Sequence, residues 1–171
     1  MDSVYVSGQT PAGFSELYER HSRDVYRFAL YLSGDPNLAE DITAESFLRI
    51  WSAEAPVRLA TVKAYLLAIA RNLYLHELRR SKRLGELEER IPSAVSLQRE
   101  TEARDQLDRV LADLRELPEA DRTAVLLRAE DGLSYEEIAE VLSLPVATVK
   151  VKVHRARLKL AEKSGRSVLT P

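Results

Sequence analysis

The sequence predicts an all-α protein of two small helical domains joined by a flexible linker. Leu, Ala, Glu and Arg dominate, and six glycines and seven prolines among 171 residues leave few helix breakers. Apolar residues recur three and four apart, the helical period, through both halves of the chain. Between residues 84 and 103 that period is lost, Pro92 and Ser93 interrupt a stretch of mixed charge, and no continuous apolar face remains. The expected division is a tail over 1–13, a helical domain over 14–83, a linker over 84–103, a second helical domain over 104–163 and a tail over 164–171.

The first helix follows from the stripe Phe14, Leu17, Tyr18, Val25, Phe28, Ala29 and Leu32, which stops at Gly34-Asp35-Pro36. Asp35 is placed to cap a second helix with Pro36 in its first turn. Ala39, Ile42, Ser46, Phe47, Ile50 and Trp51 form the expected buried side of that helix. Its other face carries Leu38, Asp41, Glu45 and Leu48. Leucines flanked by carboxylates at this spacing suit a protein-docking surface, and the pattern equally suits a solvated acidic face. Pro56 breaks the period, so residues 52–61 are expected to form a loop.

A long helix is predicted from Thr61 to Arg83, packing through Val62, Leu66, Ile69 and Leu73. Its second half turns basic, with Arg71, Arg79, Arg80, Lys82 and Arg83 beside Tyr65, Asn72, Tyr74 and His76. Cations interleaved with aromatic rings suit single-stranded nucleic acid, which offers phosphates and unstacked bases. Taken alone, Tyr65 and Tyr74 read better as ordinary core aromatics.

The second domain opens with Leu107, Val110, Leu111 and Leu114 on one helix face. Pro118 then starts a helix with Ala124, Val125, Leu127 and the stem of Arg128 inside, and Gly132 suits a left-handed stop. Ser134-Tyr135-Glu136-Glu137 has the form of a capping box, with Leu133 and Ile138 as a hydrophobic staple, and starts a short helix ending at Leu142. After Ser143-Leu144-Pro145, the series Val149, Val153, Ala156, Leu160 fixes the inner face of a final helix. Lys150, Val151, His154, Arg155 and Leu158 are left outside, flanked by Lys152, Arg157 and Lys159. A capped short helix, a tight turn and a second helix with a cationic face are the parts of a helix-turn-helix, whose second helix enters the DNA major groove. The plainer alternative is a helical hairpin with a solvated basic face.

The net charge of −2 conceals a segregation. Residues 71–83 and 146–166 together hold twelve Lys and Arg against two acids, leaving thirteen against twenty-five elsewhere. A phosphate backbone responds to these local fields and not to the sum. Several function classes are excluded or disfavoured. With no cysteine, thiol catalysis, disulfides and zinc–thiolate sites are ruled out. The longest apolar stretch, Ala64 to Ala70, falls far short of the roughly 20 residues of a membrane helix, and residues 1–13 lack the pattern of a signal peptide. No membrane insertion and a cytoplasmic location are therefore expected. His21, His76 and His154 lie far apart and no phosphate-binding glycine loop is present, so no catalytic residue, metal ligand or cofactor is expected.

In the order of these pieces the chain resembles the extracytoplasmic-function group of bacterial RNA polymerase sigma factors, over about residues 14–83 and 104–163. FSELYERHSRDVYRFALYLSGDPNLAEDITAESFLRIW looks like that family's core-polymerase-binding region, and VKAYLLAIARNLYLHELRRSKR like the region that melts and reads the minus-10 element. LRELPEADRTAVLLRAEDGLSYEEIAEVLSLPVATVKVKVHRARLKL is similar to the minus-35-binding region. The resemblance implies a promoter-specificity subunit whose partners are core RNA polymerase and promoter DNA, both duplex and melted strand. It also admits an anti-sigma factor as a partner.

By position, the resemblance puts Asp41, Glu45 and Leu48, with Leu38 on the same face, against the polymerase clamp. Lys63, Tyr65, Arg71, Asn72, Arg79 and Arg80 fall on the minus-10 helix, and residues 52–61 on the loop that receives a flipped base. Lys150, Val151, His154, Arg155 and Arg157 face the minus-35 groove, while Ser134 and Tyr135 lie near the phosphate backbone. Ala44 stands where the family usually has glutamine, Tyr65 for tryptophan, His76 for aspartate, Ser143 and Ala147 for glycine, and Val151 for serine. His76 and Val151 imply an altered promoter preference. Ser143 carries a conformational cost if the turn needs a positive φ.

Two other functions compete with this one. A helix-turn-helix regulator that is not a polymerase subunit would share the C-terminal half, but a response-regulator form of it would need an alternating β pattern before residue 100, and none is present. A helical adaptor that binds only proteins leaves both basic clusters unexplained.

Overall fold

The computed structural model describes residues 11–53, 61–85 and 102–165, and all regular structure among them is helical. The first half comprises α1 (Pro11–Ser33), α2 (Pro36–Trp51) and α3 (Val62–Gly85). The second comprises α4 (Glu102–Arg115), α5 (Glu119–Ala129), α6 (Tyr135–Leu142) and α7 (Val146–Lys163). Residues 54–60 of the expected base-receiving loop and 86–101 of the expected linker lie outside the described residues, as do 1–10 and 166–171.

The turn between α1 and α2 is fixed by local chemistry. Gly34 has a φ of +69°, the left-handed conformation that favours glycine, whereas the space is less demanding, since a Cβ there would meet only the movable end of the exposed Arg115 side chain, 2.9 Å from Nη2. Asp35 Oδ1 accepts from the backbone N–H of Asn37 at 2.9 Å and of Leu38 at 3.3 Å, capping α2 beside Pro36. Val25, Phe28, Ala29 and Leu32 of α1 are buried with Ala39, Ile42, Phe47 and Ile50 of α2 and Ala64, Leu66, Leu67, Ile69, Ala70 and Tyr74 of α3. Thr43 and Ser46 are buried too, and each hydroxyl donates to the carbonyl four residues back at 2.7 Å. The expected stripes reach further than the core does. Tyr18 and Trp51 are exposed at its rim, with Trp51 edge-on to Phe14 at a centroid separation of 5.1 Å, and Val110 is exposed on α4.

In the second half, Leu114 and Leu117 pack with nearly the whole of α5 and with the inner faces of α6 and α7. The capping box forms as predicted: Glu137 N–H donates to Ser134 Oγ at 3.1 Å, and Ser134 N–H donates to Glu137 Oε2 at 2.8 Å. Ser143 closes α6 at φ 53°, ψ 46°, the left-handed conformation for which glycine would be the unstrained choice.

The halves are not merely tethered. α3 packs on α6, α1 packs on α4 and α5, and their buried residues form one contiguous core. At the centre of the junction is Arg122, buried on α5. Its Nη1 donates to the Leu32 carbonyl and, at 3.2 Å, to Tyr74 Oη, and its Nη2 donates to the Leu117 carbonyl at 3.3 Å. Leu32 lies in the last turn of α1, where carbonyls lack helical partners and the helix dipole is negative, so a cation there is favourable.

Candidate nucleic-acid interface

The most complete surface is built by α6, its turn and α7. Val149, Val153 and Ala156 anchor α7 inward, with Leu160 half-buried beside them, which leaves Lys150, Val151, His154, Arg155, Arg157 and Lys159 exposed. Val151 is 59 % exposed, an apolar side chain set in a cationic surface. Two expected outer residues sit differently. Leu158 is half-buried, and Lys152 is drawn inward to Asp121 Oδ1 at 3.3 Å. The Tyr135 ring meets two cations, with Arg128 Cζ 4.5 Å and Lys150 Nζ 5.6 Å from its centroid. Ser134 spends its hydroxyl oxygen on the cap.

Arg155 is also held by α5. Its Nε donates to Asp121 Oδ2 at 2.8 Å and its Nη2 to Oδ1 at 3.4 Å. Sequence pattern does not single out Asp121. Its one legible signal is an acid inside a segment otherwise read as apolar core, 34 residues from its partner.

The six candidates on α3 do not form one surface. Tyr65 is half-buried against the core, and Asn72, Arg79 and Arg80 are exposed, Arg80 lying 3.8 Å from Glu77. Lys63 and Arg71 face the second half. Arg71 makes a two-pronged contact with Glu119 of α5, Nε to Oε1 at 2.8 Å and Nη2 to Oε2 at 3.0 Å. Lys63 donates to the Asp131 carbonyl at 3.1 Å and pairs with Asp24 at 3.4 Å. Tyr74 is a core residue whose hydroxyl is taken by Arg122, in line with the plainer reading of that ring.

Asp131 itself is buried, with Arg27 Nη2 at 3.7 Å and Lys63 Nζ at 3.8 Å, yet neither carboxylate oxygen accepts a hydrogen bond among the described residues. Burial pushes its pKa from 3.8 up to about 6, against the opposing pull of Lys63 and Arg27. The folded chain therefore resists charging this group more than the unfolded chain does. Its contribution to stability is fully present below pH 3.8 and is lost as pH rises through about 6. Asp131→Asn is expected to stabilise the protein at pH 7 by about 1–3 kcal/mol, with the difference vanishing below about pH 4. Urea unfolding of both proteins from pH 4 to 8 measures it, and a constant offset across that range would refute the assignment.

On α2, Asp41, Glu45 and Leu48 are exposed on one face, with Leu48 at 55 %. Glu45 accepts from Arg49 Nε at 3.3 Å. Leu38 departs from the expectation: it is half-buried and packs against the core, because it stands beside the buried Ala39 and one helical turn before the buried Ile42, at the edge of the inward stripe. No group of three or more side chains able to hold a metal ion occurs among the described residues. His21 is half-buried, and desolvation lowers its pKa. No described helix is long and apolar enough to cross a membrane.

Comparison with known proteins bears on both halves. Residues 17–84 match the family model of sigma-70 region 2, and residues 107–160 match that of sigma-70 region 4. The chain is 35 % identical over 155 residues to the ECF RNA polymerase sigma factor SigE of Mycolicibacterium smegmatis, covering 87 % of this chain but 60 % of that longer relative. It is 33 % identical over 156 residues to SigL of Mycobacterium tuberculosis, covering 85 % and 88 % of the two chains. Among solved structures it is similar, at a TM-score of 0.75 and 25 % identity, to the sigma factor RpoE of Bartonella quintana in complex with the anti-sigma factor NepR; the match covers 89 % of this chain and 96 % of that one.

Proposed function

The chain belongs to the ECF group of the sigma-70 family, and from that premise we propose that it is a promoter-specificity subunit, which binds core RNA polymerase through α2 and promoter DNA through α3 and α7. The observation that carries this reading is the α6–α7 unit: a capped helix, a left-handed turn at Ser143, and a following helix whose exposed side is cationic. The region 2 match over the first half supports a polymerase subunit over a free-standing regulator or an adaptor. Its work is binding rather than catalysis, carried out where core polymerase resides, in the cytoplasm. An anti-sigma factor is a further partner in keeping with this reading, since a structurally similar chain was captured with one.

On α3, exposed Arg79, Arg80 and Asn72 are directly available to the minus-10 strand beside the half-buried Tyr65, with Lys63 and Arg71 joining them when the second half moves aside. On α7, Val151 suits a thymine methyl and Arg155 a guanine edge. Lys150, His154 and Arg157 complete the groove surface, and Ser134 and Tyr135 stand at its phosphate margin.

Reconstitution tests the proposal. Core polymerase plus this chain should yield promoter-dependent transcripts that core polymerase alone does not, and their absence would count against a subunit role. Within that system Arg155→Ala should cost about 1–3 kcal/mol and relax preference at one position of the minus-35 element, whereas Lys159→Ala should weaken all sequences alike and lower the salt slope by about one.

A further inference from the structure

Asp121 is 1 % exposed at its side chain, while Arg155, which it holds, is 52 % exposed. The carboxylate occupies one edge of the guanidinium, taking Nε at 2.8 Å and Nη2 at 3.4 Å. A guanidinium is planar and has five N–H donors. With the Nε–Nη2 edge taken, the donors left over are both N–H groups of Nη1 and the outer N–H of Nη2. Those at the Nη1–Nη2 end form a second pair of parallel donors, spaced for two acceptors in one plane, as guanine O6 and N7 present in the major groove.

We propose that Asp121 is a specificity-positioning residue: it fixes the Arg155 guanidinium from behind so that the free Nη1–Nη2 end is presented to guanine. The inference rests on the reading of α7 as the recognition helix. A free arginine on a helix surface loses rotamer freedom when it binds, and it can swing to a phosphate as readily as to a base. An arginine already locked by a buried carboxylate has lost that freedom on folding and is held to one direction. The same carboxylate draws Lys152 inward, so one acid on α5 removes one cation from the groove and aims another.

Asp121 also lies in the first turn of α5, where an acid favours the helix. A purely structural role there predicts that its loss weakens all binding in parallel. The positioning role predicts a divergence. Asp121→Asn frees Arg155 and Lys152 for phosphates, so binding to unrelated duplex DNA should hold or rise while selectivity falls.

The test uses the full chain reconstituted with core polymerase and duplexes carrying each base at each minus-35 position. The parental protein should favour guanine at one position by about 10-fold or more. Asp121→Asn should reduce that preference to within about threefold, leave other positions unchanged and raise the salt slope. Arg155→Ala should lose the same position, and the double variant should lose no more than either single one. An independent readout needs no variant: in the parental chain the Arg155 Nε–H should give an ordered NMR signal on the nanosecond scale. Undiminished guanine preference in Asp121→Asn, a uniform loss at every position, or a freely averaging Arg155 Nε–H would each overturn the proposal. Arg155→Ala without effect at any position would overturn it together with the recognition-helix reading, whereas the first outcome leaves that reading standing.

Discussion

Replacing Asp41 and Glu45 together by lysine is expected to abolish association with core polymerase. Both carboxylates stand exposed on α2 beside Leu48, on the side turned away from the buried Ala39, Ile42 and Ser46. The change swings the charge of this small patch by four units, so a partner surface complementary to it meets repulsion where it met attraction, and like-charge juxtaposition at an interface costs several kcal/mol. The fold should scarcely notice. Within the molecule the substitution breaks the Glu45–Arg49 pair, an exposed i,i+4 bridge of the kind worth about 0.3–0.5 kcal/mol. Co-purification with polymerase subunits, alongside a circular dichroism melt, separates the two effects. Normal retention of polymerase by the doubly reversed protein would show that the docking face lies elsewhere.

Arg122→Met is expected to cost about 3 kcal/mol of folding stability, since it leaves buried acceptors without donors. The Leu32 and Leu117 carbonyls and the Tyr74 hydroxyl all receive from this guanidinium. Methionine has a comparable stem but can satisfy none of them. Tyr74→Phe, which removes one acceptor and leaves the cation in place, should cost only about 1 kcal/mol. Denaturant unfolding at constant m-value measures both. A Met variant within about 0.5 kcal/mol of the parent would mean that neither the two carbonyls nor the hydroxyl depends on Arg122, since surface-like substitutions fall in that range.

Arg122 also marks where sequence reasoning runs out. Features set by neighbours in the chain are legible: the Asp35 cap, the Ser134–Glu137 box and the inward series Val149, Val153, Ala156 all form as read, and the positive φ on which the cost of Ser143 depends is present. Their physics is confined to a few residues. The contacts that join the halves link residues far apart, Arg71 with Glu119 48 positions away and Arg122 with the Leu32 carbonyl 90 away. Helical periodicity shows that a face is buried but not what covers it. For that reason Arg71 reads as one basic stretch with Arg79 and Arg80, and the resemblance sets Lys63 on the same helix with them, although Lys63 and Arg71 face the second half. Asp121 and Glu119 escape notice because an acid in an amphipathic helix has no local signature of its partner. Tyr18, Trp51 and Val110 extend their stripes beyond the available core, so periodicity puts them inside when they lie at the surface.

With promoter DNA taken up by α3 as proposed, the junction held by Glu119 and Asp131 would turn promoter affinity into a conformational balance. On the proposed reading Arg71 and Lys63 serve DNA phosphates, so in this arrangement two carboxyl-bearing residues of the same molecule stand in the place of that polyanion. DNA then competes with a ligand that is never diluted. The apparent dissociation constant is the intrinsic one divided by the fraction of chains with the halves apart, so one open chain in a hundred weakens binding about a hundredfold. Any surface that grips the halves separately, as core polymerase is proposed to do, recovers that factor without touching a base.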